Sequence, residues 1–265
     1  MESYTNSGNP GWMPLIRGTA GVAAALLLWD IAVRSSFIDP LLLASPWDVL
    51  RQLWKGWTLP SFGESQLLRA SAATLGHFAT GFTLAVLIGT SCGAILGMTK
   101  AVRDYANAVI RLLQYTPPAA LLPLLILYFD RGEFTIALYV VLGSVWPILI
   151  HTRDALLNRD PTLIAAAKNL GWREHHLFLR VLLPASLSEI LAGIRIAASI
   201  GLITSIVGEF LAGDAGLGFE ILLAQRSFEY RSMYSGIVTL ALMGLLVNYG
   251  LMFVERWFTR WRHIG

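Results

Sequence analysis

The chain has 265 residues, of which 55% are hydrophobic and only 14% charged, with 20 Lys and Arg against 17 Asp and Glu. That charge content is about half of what a soluble domain carries, too little to coat a water-exposed surface, so the bilayer must be much of the solvent. The net charge of +3 comes without a basic patch interleaved with aromatics, which gives nucleic-acid binding little support. Cys92, the one cysteine, rules out an intrachain disulfide and any zinc or redox spacing.

Residues 1–14 are polar, contain Gly and Pro, and lack a basic stretch ahead of the first apolar run. That run therefore reads as a retained helix rather than a cleaved signal, and 1–14 as a cytoplasmic tail. Six stretches meet the length of about 20 apolar residues that a spanning helix needs. They are roughly 15–34, 70–98, 105–129, 134–152, 186–212 and 233–257, inside a transmembrane domain over 15–258 with a short cytoplasmic tail at 259–265. With the amino terminus inside, the inner loops hold twelve Lys and Arg against seven outside, leaving out Arg195 within the fifth span. This bias puts both termini, and a charged loop over 153–185, in the cytoplasm.

Along the first span, Asp30 and Arg34 are four residues apart and positioned to pair. In the first outer loop, Ser45 and Pro46 start a helical pattern with Trp47, Leu50, Trp54 and Trp57 on one face, and Asp48, Arg51 and Lys55 on the other. It reads either as a helix lying in the interface or as one packed on the bundle. Gly89, Gly93 and Gly97 recur every four residues in the second span and let another backbone approach closely. Pro117, Pro118 and Pro123 interrupt the third span, just after Gln114, Tyr115 and Thr116. A helix kinked beside a cavity fits this pattern, and so does a purely structural kink.

The loop between the fourth and fifth spans has small residues at 165–167, Gly171, apolar Leu177 and Phe178, and a Leu183-Pro184 pair. Gly171 permits a sharp turn between two short helices, and Pro184 is expected to stop the second. The fifth span carries Arg195 near its inner end, placed to snorkel, and Thr204, Ser205 and Glu209 towards its outer end. Glu209 is either buried, where an acid is costly and functional, or at the surface beside the Gly-rich turn 213–218. Asn248 lies midway along the sixth span, and Trp257 and Trp261 suit an interfacial belt at its end. Tyr115, Thr116, Thr204, Ser205, Glu209 and Asn248 are the candidates for lining a translocation pathway.

No catalytic constellation and no metal set emerge. His77 stands alone, His175 and His176 point apart on a helix, and a Gly-rich phosphate loop is missing. Active transport would thus need energy from a partner or an ion gradient. A secondary transporter should show inverted repeats and buried ion ligands, neither of which is convincing in this sequence. A non-transporting scaffold has no need for a shaped cytoplasmic loop.

The loop at 163–184 resembles the cytoplasmic coupling loop of ABC importer permeases, with Ala166-Ala167, Gly171 and Leu183-Pro184 matching and Ala165 where that family usually has Glu. The resemblance extends from about Ser45 to the carboxy terminus. Ser45-Pro46, Thr80-Gly81-Phe82, Pro118 to Leu127, Gly193 to Ala197 and Gly216-Leu217-Gly218 look like the nitrate/sulfonate/taurine branch. It implies an all-α polytopic membrane protein of type I importer fold, six transmembrane helices to a subunit, in the bacterial inner membrane. It further implies a homodimer, two cytoplasmic ATPases that bind ATP and Mg, and a periplasmic or lipid-anchored binding protein that delivers a small anion or polar organic solute. Related permeases also serve thiamine-precursor pyrimidines. The chain itself would bind no cofactor, and Ala165, Ala166, Asn169, Leu170, Gly171 and Trp172 would meet the ATPase.

Overall fold

The computed structural model describes residues 13–35, 43–58, 66–159 and 161–259. Residues 1–12 of the expected tail and Trp261 lie outside the described residues, while Met13 and Pro14 already belong to the first helix. Among those residues the structure is helical throughout: α1 Met13–Arg34, α2 Pro46–Thr58, α3 Gln66–Met98, α4 Lys100–Tyr115, α5 Pro118–Phe129, α6 Glu133–Leu157, α7 Pro161–Asn169, α8 Glu174–Leu177, α9 Leu183–Ala212, α10 Leu217–Arg226 and α11 Tyr230–Phe258. A π-helical turn, Phe178–Leu182, joins α8 to α9.

Four helical stretches are long and apolar enough to cross a bilayer: Leu67–Met98, Glu133–Leu157, Phe178–Ala212 and Tyr230–Phe258. The third expected span is not one kinked helix. It is α4 and α5 bent by 90°, and only the pair together has the length and composition of a span. The cause is the proline pair. Thr116 and Pro117 are extended, with ψ of 118° and 123°, because a residue ahead of proline is pushed out of the helical region. Pro123 sits inside α5 without ending it.

The helix α6 is the centre, with α3 on one side and α9 on the other. A stripe of small residues on α3 makes the first contact close. A Cβ at Gly89 would come within 2.8 Å of Ile148 Cβ, one at Gly93 within 2.6 Å of the Leu149 carbonyl, and one at Gly97 within 2.8 Å of Leu156 Cβ. The stripe continues through the buried Ala85 to Gly81, whose Cβ would meet the Ala137 carbonyl at 2.5 Å. A second stripe, on α9, runs through Gly193, Ala197, Gly201, Ser205 and Gly208, all buried. A Cβ at Gly201 would lie 2.6 Å from Ser144 Oγ on α6. With no hydrophobic drive between helices in lipid, such close backbone approach supplies the attraction through dispersion.

The amphipathic α4 lies across the ends of α3 and α6, where Ile110 packs with Leu96 and Leu149. Arg103 on α4 donates to the Leu96 carbonyl at 2.9 Å, satisfying an acceptor in the last turn of α3. The helix α2 begins as its sequence predicts, with Ser45 Oγ accepting from the Asp48 N–H at 3.1 Å. It joins the two readings of that segment: Val49 and Leu53 are buried against Trp29, Tyr234 and Val238, while Trp47, Leu50 and Trp54 face outward. Asp30 and Arg34 pair at 2.7 Å.

Candidate functional site

The loop between α6 and α9 is a clamped knuckle. The helix α7 ends where Gly171 takes φ +74°, and the Trp172 N–H returns to the Ala167 carbonyl at 3.3 Å. This is the Schellman-type close that a left-handed glycine allows. On the outer face of the knuckle Ala165, Ala166 and Asn169 are exposed and Leu170 is 74% exposed, while Trp172 is half-buried. Leu177 and Ala167 are buried beneath them.

Pro184 does not stop the second short helix, as the sequence suggested. The helix α8 runs through the π turn straight into α9, and the Leu183 N–H bonds the Phe178 carbonyl five residues back. A π turn widens the helix just ahead of the proline ring, which would otherwise crowd the carbonyl four residues before it. The roots of the loop are tied together. Arg159 bonds the carbonyls of Ala155 and Ala185 and pairs with Glu189 at 3.3 Å, and Ser186 Oγ donates to the Ala155 carbonyl at 3.2 Å. The backbone from α8 through the π turn into α9 is therefore helical without a break.

Near the far end of α9, Glu209 is fully buried. Its Oε2 accepts from Thr74 Oγ1 at 3.0 Å and from the Gly218 N–H at 2.8 Å, and its Oε1 lies 2.9 Å from His77 Nδ1. One proton must sit between that nitrogen and that oxygen. Thr74 Oγ1 in turn accepts from the Leu217 N–H at 2.8 Å. Gly216, at φ +111°, lies so close to the carboxylate that any Cβ there would strike it. The cluster fastens α3, α9 and the start of α10 to one another. Burial of an acid is tolerable here because its acceptor sites are met by donors.

The six residues nominated for a pathway do not converge on one cavity. Tyr115 is 79% exposed at the end of α4. Thr116 lies at the break, its Oγ1 donating to the Leu112 carbonyl at 3.0 Å. It borders an almost wholly apolar cleft of about 380 Å³ with Ile88, Cys92, Pro118 and Trp146. Thr204 and Ser205 face α6 instead: a Cβ at Gly143 would meet Thr204 Cγ2 at 2.6 Å, and Ser205 is fully buried with Oγ unpartnered. Asn248 lines a separate groove of about 320 Å³ between α9 and α11, with Ser199 and Arg195. Arg195 does not simply snorkel. It pairs with Glu255 on α11 at 3.0 Å.

The sequence reading left His77 alone and missed Thr74 and the amides of Leu217 and Gly218. Thr74, His77 and Gly81 lie at helical spacing on one face of α3, and with a Gly-rich turn just after Glu209 that was the available signal. The second small-residue stripe, on α9, was also visible in its four-residue spacing.

Comparison with known proteins places this geometry. The family profile for binding-protein-dependent transport system inner membrane components matches residues 81–263. The taurine transport system permease protein TauC of Escherichia coli strain K12 is 30% identical over 240 residues, covering 91% of this chain and 87% of that protein. The aliphatic sulfonates transport permease protein SsuC of Bacillus subtilis strain 168, a putative assignment by name, is 27% identical over 96% of this chain and 89% of its own length. The nitrate import permease protein NrtB of a Synechocystis species is 24% identical over 91% of this chain and 88% of its own length. In fold, the chain is similar to a subunit of the inward-facing MetNI methionine ABC transporter, with TM-score 0.59 at 18% identity over 84% of this chain and all of that one. Family match, relatives and fold agree, and the chain belongs to the binding-protein-dependent transport system inner membrane components, the permease subunits of ABC importers.

Proposed function

We propose that this permease imports a small anion or small polar organic solute of the taurine, sulfonate or nitrate kind, working as a homodimer with two cytoplasmic ATPases and an external binding protein. The names of the similar permeases support the solute class. ATP and Mg are bound by the ATPases, which leaves this chain a non-catalytic role. The helix α1, 22 residues long, serves as the sixth span, and both termini face the cytoplasm.

The observation that carries this reading is the clamped knuckle around Gly171 and its unbroken passage into α9. Ala165, Ala166, Asn169, Leu170, Gly171 and Trp172 form the surface an ATPase grips. When the ATPases close on ATP, α9 moves as a rod, and its far end carries Glu209 and the outer turn with it. Such coupling requires that the ATPase states bind the knuckle with different free energies. The pathway lies between the two copies, with Tyr115, Thr116 and Asn248 facing solute. Thr204, Ser205 and Glu209 act on it from within each copy by fixing where α9 sits.

The test is purification of the tagged chain from native membranes, followed by uptake in proteoliposomes. An ABC ATPase should co-purify, and uptake should need ATP inside the cytoplasmic compartment. Uptake driven by an imposed proton or sodium gradient, with no ATPase bound, would assign the chain to secondary transport instead.

A further inference from the structure

We propose that the knuckle docks on an acidic edge of the ATPase cleft, through the guanidinium groups of Arg173 and Arg180 together with the exposed apolar anchor Leu170. This rests on the reading above that an ATPase grips the knuckle, and it adds the chemistry of that partner's surface.

Four observations point there. Gly171, Trp172, Arg173, His176 and Arg180 line one open cavity of about 380 Å³, and no acid is among its described lining residues. Arg173 and Arg180 are exposed, and among the described residues neither takes part in an ion pair. The other arginines of this region are neutralised: Arg153 pairs with Asp154 at 2.7 Å and Arg159 with Glu189 at 3.3 Å. Beside the cavity, the exposed face of α7 offers Ala165, Ala166 and Asn169, none of which carries charge. The recognisable features of this surface are therefore an apolar knob and two guanidinium groups that no acid among the described side chains pairs with. The planar guanidinium fork matches a carboxylate in bidentate fashion, and complementary charge of this kind sets register and encounter rate.

A lipid headgroup offers the same negative charge, but a helix that lies on a membrane presents bulky apolar side chains such as Trp, Phe and Leu. The exposed face of α7 presents Ala165, Ala166 and Asn169, small or polar residues that suit the close approach of a folded protein.

The experiment uses the complete transporter, with the ATPase that co-purifies with the unaltered chain. Arg173→Glu with Arg180→Glu should weaken ATPase association by about tenfold or more, while the paired Gln substitutions give a smaller loss. Association of the unaltered chain should fall as salt rises, and Lys in place of carboxylates along the ATPase cleft should restore binding to the Glu variant. Thermal melting of the variant chains should match that of the parent, because both side chains are exposed. If the Glu pair binds ATPase normally while Leu170→Asp abolishes binding, the knuckle docks without its charges and this inference falls, the functional reading standing. If neither change alters ATPase binding, the grip on the knuckle itself is wrong. Lost adsorption to phosphatidylglycerol vesicles with unchanged ATPase binding would assign the arginines to lipid and likewise overturn the inference.

Discussion

Nδ1 of His77 on α3 lies 2.9 Å from Oε1 of Glu209 on α9, and both side chains are buried. Neither helix could slide along the other at this depth without parting that contact and exposing Thr74 and the Gly218 amide to an unmet bond.

Glu209→Ala should therefore be among the most damaging single changes to stability in the chain. It leaves His77, Thr74 and the Gly218 N–H without their acceptor. The expected cost is about 3–5 kcal/mol, the scale for removing one side of a buried pair. Glu209→Gln keeps the shape and part of the bonding and should cost less. Thermal unfolding in detergent and protease cleavage at the turn 213–217 report the difference. A Glu209→Ala protein that melts with the parent would remove the cluster from the account of the fold.

The turn between α9 and α10 is held by its backbone conformation as well as by its bonds. Gly216→Ala forces an L-residue to φ +111° and drives a methyl into the Glu209 carboxylate. A loss of roughly 1–3 kcal/mol follows from the strain alone. Gly250→Ala is the control, since nothing lies within 4 Å of its Cβ position and the site is helical. It should be neutral or stabilising by up to about 1 kcal/mol. Equal melting of the two variants would show that the turn is not constrained as described.

Thr204→Leu with Ser205→Leu separates packing from solute contact. Both positions are buried on the α6 side of α9, with Thr204 against Gly143. Overpacking there should lower melting temperature and yield of inserted protein, at a cost of about 1–3 kcal/mol for each site. Tyr115→Ala, on an exposed side chain, should leave melting unchanged while altering uptake. A double Leu protein that is fully stable but transport-dead would return Thr204 and Ser205 to the pathway.

At the knuckle, Gly171→Trp should leave insertion intact, because no heavy atom lies within 4 Å of the Cβ position. The left-handed φ of +74° imposes about 1–2 kcal/mol of local strain on any L-residue. The indole would stand in the surface that the ATPase is proposed to grip. ATP hydrolysis should continue while uptake drops by an order of magnitude or more, and uptake at the parent rate would count against coupling through this turn.

The acid Glu220, on α10 outside the spans, has its carboxyl raised above the ordinary value of 4.5 by burial. Burial penalises the charged form. Below the ordinary carboxyl range both folded and unfolded states hold the proton and the penalty is absent. As pH rises through the folded value, the unfolded state ionises more readily and stability is lost. Glu220→Gln should therefore melt higher than the parent at neutral pH, with the gap closing towards about pH 4. A gap independent of pH would mean that the carboxyl pays no such penalty.

Much of the frame was legible without coordinates. Four of the six apolar runs fall within helices long and apolar enough to cross a bilayer, because lipid leaves a chain few ways to satisfy its backbone other than a helix. Gly89, Gly93 and Gly97 identified a contact face on α3, since only small side chains at that spacing admit a neighbour's backbone. The proline pair marked the third span as interrupted but not by how much, because the 90° bend depends on α4 settling across α3 and α6. Pro184 was misread as a stop, since a π turn is invisible to residue preference.

What the sequence determined by itself was therefore the class of molecule: a helical membrane protein with a shaped loop at Gly171, set by composition and by periodicity over single helices. The tertiary structure alone decided which distant groups meet. Glu209 and His77 are 132 positions apart, and the buried acid becomes stable only when two other elements, α3 and α10, bring donors to it. No pattern within one helix carries that information, because the free energy lies in the convergence and not in any of its parts.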